Sequence, residues 1–173
     1  MKRSEIRNIP PFYDTYINQV EDIDILRALE NYDSIIDDEG LQKCNMLQDE
    51  VYEEGKWTVR DIFQHIIDTE RIMAYRALRF ARYDQTVLPG FDENHYAEFM
   101  RSENKSINTL AIEFNLLRRS NTLMFKEFQN VVLKRKGFVD KTQISVLALG
   151  FVIVGHQKHH IGVIKDKYFP LID

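Results

Sequence analysis

Apolar residues return at three- and four-residue steps through most of the chain, the spacing of one face of an α-helix. Ile25, Leu29, Tyr32 and Ile36 predict a first long helix that begins near Asp22 or Asp24, runs to about Asp38 and is stopped by Gly40. A shorter helical piece around Phe12 to Gln19 precedes it, after an extended lead-in that ends in Pro10-Pro11. From Leu41 to Lys56 the pattern is irregular and polar, which reads as a connecting segment with room for a turn of helix, closed by Gly55. Thr58 and Asp61 then mark a capped helix start, with Trp57 placed as an apolar staple. Ile62, His65, Ile66, Thr69, Ile72, Met73, Ala77 and Phe80 continue that second helix along one face.

A long break from Asp84 to Lys105 separates it from a third helix over Ser106 to Val132. The stripe of the third helix is Ile107, Leu110, Ala111, Phe114, Leu117, Met124, Phe125 and Phe128. Arg118 and Asn121 lie on or near it and read as partly exposed structural residues, or as contacts for a polar ligand. Lys136 to Lys141 form a turn around Gly137, and a fourth helix runs from Thr142 to about Asp166. Gly155 and Gly162 fall on one face of it, two turns apart, which predicts a close approach by a neighbouring backbone. Nothing reads as a series of strands, so the pattern predicts an all-α protein of four main helices.

Composition narrows the function classes. A chain of 173 residues fits one domain, residues 1–173, with an adequate core. A net charge of −4 gives no electrostatic case for nucleic-acid binding. Lys134-Arg135-Lys136 reads as a solvated helix end whose charge suits the C-terminal dipole. The apolar run from Ile144 to Ile164 is interrupted by histidines and a lysine, which makes it a buried helix and not a membrane span. With no signal peptide in the pattern, the expected location is the cytoplasm. Cys44 is the only cysteine; it excludes an internal disulfide and a Cys-rich metal site, and in the connecting segment it is expected to be inert.

Three of the five histidines fall in His156-Gln157-Lys158-His159-His160. Residues four apart share a helix face, so His156 and His160 can address one object, and neutral imidazoles suit zinc, nickel, iron or copper. The competing reading is that one of these histidines caps the helix C-terminus and the others are ordinary surface residues. His65, on the core-facing stripe of the second helix, is the candidate third donor; alone it would read equally well as a core histidine bonded by its neighbours. His65 lies near the start of its helix and the other two near the end of theirs, so the three meet only if these helices are antiparallel. The long segment from Asp84 to Lys105 can cross a bundle of roughly 37 Å, which lets helices two and three run the same way. The resulting order is up-down-down-up.

Gly55-Lys56-Trp57-Thr58 leading into His65, Asp68-Thr69-Glu70-Arg71, Tyr75-Arg76-Ala77-Leu78-Arg79, Leu88-Pro89-Gly90-Phe91-Asp92 and the late histidine cluster together resemble the DinB superfamily of DinB/YfiT-like metalloenzymes, over nearly the whole chain. That resemblance implies an up-down-down-up four-helix bundle with a divalent metal held by His65, His156 and His160. It implies that His159, which matches a common extra histidine of the family, is not a ligand. Hydrolases and thiol-dependent S-transferases are the activities it suggests. Asp68 and Asp92 are candidates for orienting a ligand or moving a proton, set against the default of solvated surface charge.

Three histidines leave open positions on an ion, the arrangement of catalytic zinc, from which hydrolysis or attack by a cofactor thiolate can start. The leading expectation is therefore a metal-dependent enzyme on a small-molecule substrate, with zinc or nickel as the metal and a low-molecular-weight thiol as a further cofactor if the reaction is S-transfer. Two alternatives stand beside it, a metal-binding or stress-related bundle without turnover and a bundle that acts mainly by forming a homodimer.

Overall fold

The computed structural model describes residues 1–100 and 102–172. Eight α-helices and one small hairpin follow in order: α1 (Asp14–Ile17), α2 (Ile25–Asn31), α3 (Asp38–Leu47), α4 (Val59–Ala81), α5 (Glu93–Phe99), α6 (Ile107–Lys126), α7 (Asn130–Leu133), β1 (Lys136–Val139), β2 (Thr142–Ser145) and α8 (Val146–Val163). A π-helical turn, Ile164–Tyr168, and a short 3-10 turn, Phe169–Leu171, end the chain.

Side-chain caps set the helix starts. Thr58 and Asp61 form a reciprocal box at α4: Thr58 N–H donates to Asp61 Oδ2 at 2.9 Å and Asp61 N–H to Thr58 Oγ1 at 3.2 Å. Ser106 caps α6 and Ser145 caps α8 by accepting from the third residue beyond each. Helix α8 is buried all round from Val146 to Gln157, so its sequence shows no amphipathic stripe and it forms the centre against which α1, α2 and α4 pack.

Two apolar clusters make the core. One joins α1, α2, the C-terminal half of α4, the hairpin and the first half of α8, with Phe80, Phe125, Phe151 and Val154 inside it. The other joins α3, the N-terminal halves of α4 and α6 and the chain end, around Phe63, Phe114 and Tyr168. The ends of the long helices meet accordingly. Lys105, just before α6, donates to Gln64 near the start of α4, and the Tyr168 hydroxyl, after α8, donates to the Trp57 carbonyl at the same place.

Several expectations need correction. The first long helix ends early, α2 closing at Asn31, and the segment expected to be irregular from Leu41 instead holds most of a ten-residue helix, α3, whose start Asp37 caps by accepting from Gly40 N–H at 2.7 Å. Backbone groups freed by the break are taken up by side chains of other helices: buried Gln157 Nε2 donates to the carbonyls of Ser34 and Ile35, and half-buried Asn115 Oδ1 accepts from Ile35 N–H. Gly40 does not stop a helix. It sits in the first turn of α3, where a Cβ would collide with Ile36. Cys44 therefore lies buried in α3 and not in a linker.

The third helix ends at Lys126 and a separate turn, α7, follows, since Gln129 is extended and Phe128 turns into the core. Lys136 to Ser145 is a hairpin closed by Asp140-Lys141, with Asp140 at φ 48°, so helix α8 starts four residues later than Thr142. Four-residue strands carry too few alternations to show in the sequence. Gly137 inside β1 lies on Phe80, whose ring occupies the place of a Cβ. Arg135 is not a solvated helix end: it donates to the Ala81 carbonyl and lies over the Tyr83 ring. The break from Asp84 to Lys105 contains α5, and Leu88 pairs with the hairpin through Phe138 O and Asp140 N–H.

Candidate metal centre

Helix α4 carries His65 in its second turn, facing the core, and α8 carries His156 and His160 one turn apart. The two helices bring the three rings to one point. His65 Nε2 lies 3.0 Å from His156 Nε2, and His160 Nε2 lies 3.1 Å from the same atom. One potential ligand atom from each residue falls within 4.8 Å of the others. Tetrahedral coordination at 2.0–2.1 Å places neighbouring nitrogens about 3.3 Å apart, within a few tenths of an ångström of both short separations.

These contacts are poorly accounted for as hydrogen bonds alone. An imidazole nitrogen offers either one N–H or one lone pair, yet His156 Nε2 faces two other ring nitrogens. A cation shared by three lone pairs satisfies all of them. Burial pushes His65 down to about 4 and His160, with help from its neighbours, down to about 3. His156 is lowered well below the ordinary range, first by burial and then by His160 and His65. All three rings are thus neutral at pH 7, the form that binds a metal.

Aromatic side chains hold the rings in place. Trp57 packs on His65 with centroids 4.9 Å apart, and Tyr16 on His156 at 5.2 Å. Tyr16 reaches this position because α1 docks directly on α8 at Gly155, where any Cβ would collide with the Tyr16 backbone carbonyl. The close approach expected of the two glycines belongs to Gly155 alone; the place of a Cβ on Gly162 is open space. His159 turns away to Gln19 and the edge of Tyr16. His95 lies on α5, in contact with Glu98 and Phe99.

The two candidate carboxylates have other partners. Asp68 accepts from Gln64 at 2.9 Å and pairs with Arg71, within a polar group that reaches Lys105 and Glu113; burial raises its pKa. Asp92 caps α5 by accepting from the Asn94 and His95 N–H groups. Neither is bonded to a clustered imidazole. Arg118 is fully buried, contrary to expectation, and makes a bidentate pair with Glu70 at 2.9 and 2.8 Å, while Asn121 donates to the same carboxylate.

The imidazoles form one end of a cavity of about 450 Å³. Its walls include Tyr13, Thr69, Met73, Arg76, Phe91, Val139 and Val152, with the exposed carboxylates of Glu93 and Asp140 at the rim. Thr69 and Met73 belong to the stripe that reads as plain core. Arg76 escapes a search by residue type, although it repeats the phase of His65 three turns on. Among the described residues no helix is long and apolar enough to cross a membrane.

The fold is similar to that of YfiT from Bacillus subtilis, described as a probable metal-dependent hydrolase with an unusual four-helix bundle topology. The TM-score is 0.63 at 20% identity, and the likeness covers 95% of this chain and 91% of that one. No curated protein matches the sequence. The family model of the DinB superfamily matches residues 41–164, from α3 through the three clustered histidines, and the chain belongs to that superfamily.

Proposed function

We propose that this protein is a divalent-metal-dependent hydrolase of a small molecule, with His65, His156 and His160 as the metal ligands. The observation that carries this reading is the convergence of three neutral Nε2 atoms, two of them on the third, at the end of a cavity wide enough for a small organic molecule. When bound, such an ion supplies Lewis acidity and a nucleophile active at neutral pH. The chain's own residues hold three unprotonated donors in fixed orientation and shield them behind Trp57 and Tyr16. The description of YfiT favours hydrolysis as the reaction. S-transfer is the second reading, supported by the cavity's size; its thiol would come from solution, because Cys44 is buried in α3 with its pKa pushed up to about 12.

An up-down-down-up order belongs to this proposal. The meeting of the starts of α4 and α6 with the end of α8 supports it. One domain over the whole chain and a cytoplasmic small-molecule role complete the reading.

Elemental analysis of untagged protein is the direct test. About one zinc or nickel ion per chain is expected, falling severalfold or more in His65→Ala. Equal metal in both proteins would remove His65 from the site. Metal-dependent hydrolysis across a panel of small esters and amides, lost in His156→Ala, would separate an enzyme from a bundle that only stores metal.

A further inference from the structure

We propose that the end of the cavity remote from the histidines is a carboxylate-binding subsite built on Arg76, so that the natural ligand is a small amphipathic acid. Its reacting end would face the imidazoles, and only that half of the inference rests on the function proposed above. Arg76 is 3% exposed and lies on the same face of α4 as His65, Thr69 and Met73. The Cα atoms of His65 and Arg76 are separated by roughly 16 Å along the helix, and side chains on a helix lean toward its N-terminus. Guanidinium and imidazoles are thus spaced for the two ends of one small molecule.

What marks Arg76 is the lack of a countercharge. Its Nη2 donates to the Pro89 carbonyl at 2.8 Å, its Nη1 approaches Met73 Sδ at 3.6 Å, the Tyr13 hydroxyl is a further neutral hydrogen-bond partner, and the Phe91 ring centroid lies 5.6 Å from Cζ. No carboxylate forms an ion pair with it among the described residues. Arg118, the other arginine buried to this degree, has Glu70 on two nitrogens. A buried guanidinium left unpaired is costly and has donors to spare, since five N–H groups are available and neutral acceptors take few of them. Asp140 is near enough to act on its charge, but this exposed turn residue holds Gly90 N–H at 3.0 Å.

A second observation points the same way. Thr69 is 3% exposed, lines the cavity between His65 and Arg76, and its Oγ1 has no hydrogen-bond partner. A ligand spanning the two ends would meet that hydroxyl. The ligand's charge follows from the surroundings: one guanidinium beside the rim carboxylates of Asp140 and Glu93 suits a monoanion and disfavours a phosphate dianion. Met73, Val139 and Val152 make the intervening wall apolar, which suits a hydrocarbon chain.

Calorimetric titration of the metal-free 173-residue chain with hexanoate, 1-hexanol and hexyl phosphate tests the subsite without reference to metal or activity. Hexanoate is expected to bind roughly tenfold or more tightly than hexanol, with hexyl phosphate weaker than hexanoate. Arg76→Gln should remove the difference between acid and alcohol while leaving hexanol unchanged, and Arg76→Lys should keep part of it. Equal binding of hexanoate and hexanol by the wild type would overturn the proposal, even if neither variant folds. Preference for hexyl phosphate, or an acid preference surviving in folded Arg76→Gln, would overturn it equally. A chain that prefers hexanoate but takes up no zinc would leave the subsite standing and remove the metal-centred function.

Discussion

At the scale of single residues, the site depends on keeping three imidazoles uncharged beside one another. A histidine whose pKa is depressed on folding takes its proton more readily in the unfolded chain, so acid favours unfolding. The stabilisation is complete above the unfolded value of about 6.5 and is lost as pH falls toward about 4 for His65 and about 3 for His160. Metal-free protein should therefore lose up to about 1.4 kcal/mol per pH unit for each ring forced to charge. Thermal melts between pH 6.5 and 5, above the range of ordinary carboxylates, isolate this effect. His65→Gln combined with His160→Gln should flatten the slope, and an unchanged slope would show that the rings do not titrate as a buried group.

At the scale of elements, α8 provides two glycines with opposite expectations. Gly155→Ala forces a methyl group into the Tyr16 backbone and should cost about 1–3 kcal/mol, with loss of the Tyr16 contact on His156. Gly162→Ala meets open space in the last turns of the same helix and should stabilise by up to about 1 kcal/mol. Urea denaturation of the two variants gives the comparison directly; a loss at Gly162 equal to that at Gly155 would mean that backbone clearance is not what separates them. The hairpin and the division between α2 and α3 belong to this scale too. Both were hidden from sequence periodicity, the first by its brevity and the second because Ile25, Leu29, Tyr32 and Ile36 keep helical spacing across a break.

At the scale of the whole molecule, Glu70 on α4 and Arg118 on α6 tie the two helices together out of water. The Arg118 guanidinium also donates to the Tyr32 carbonyl at the end of α2, so one side chain links three helices. Removing one partner strands the other charge: Arg118→Met should cost about 3–5 kcal/mol, while Glu70→Leu with Arg118→Met should cost less than either single change. Chemical denaturation of the three variants measures this, and additive losses would show that the residues are not coupled. The same pair explains why Arg118 and Asn121 invited a ligand-binding reading from their stripe position, since their partner lies 48 and 51 residues earlier in the chain.

The sequence by itself determined where the long helices α4, α6 and α8 run and which histidines can share a point. Both follow from short-range regularities: helix starts at Thr58 and Ser106, three- and four-residue apolar steps, and the four-residue interval between His156 and His160. Tertiary structure alone decided where helices break, how near α1 lies to α8, and what stands at the far end of the cavity. Those outcomes depend on backbone groups and charges satisfied from distant positions, as Ser34 and Ile35 are by Gln157, and on a charge left without a carboxylate, as at Arg76. Local spacing carries no information about a partner more than a hundred residues away, nor about one that the chain does not supply.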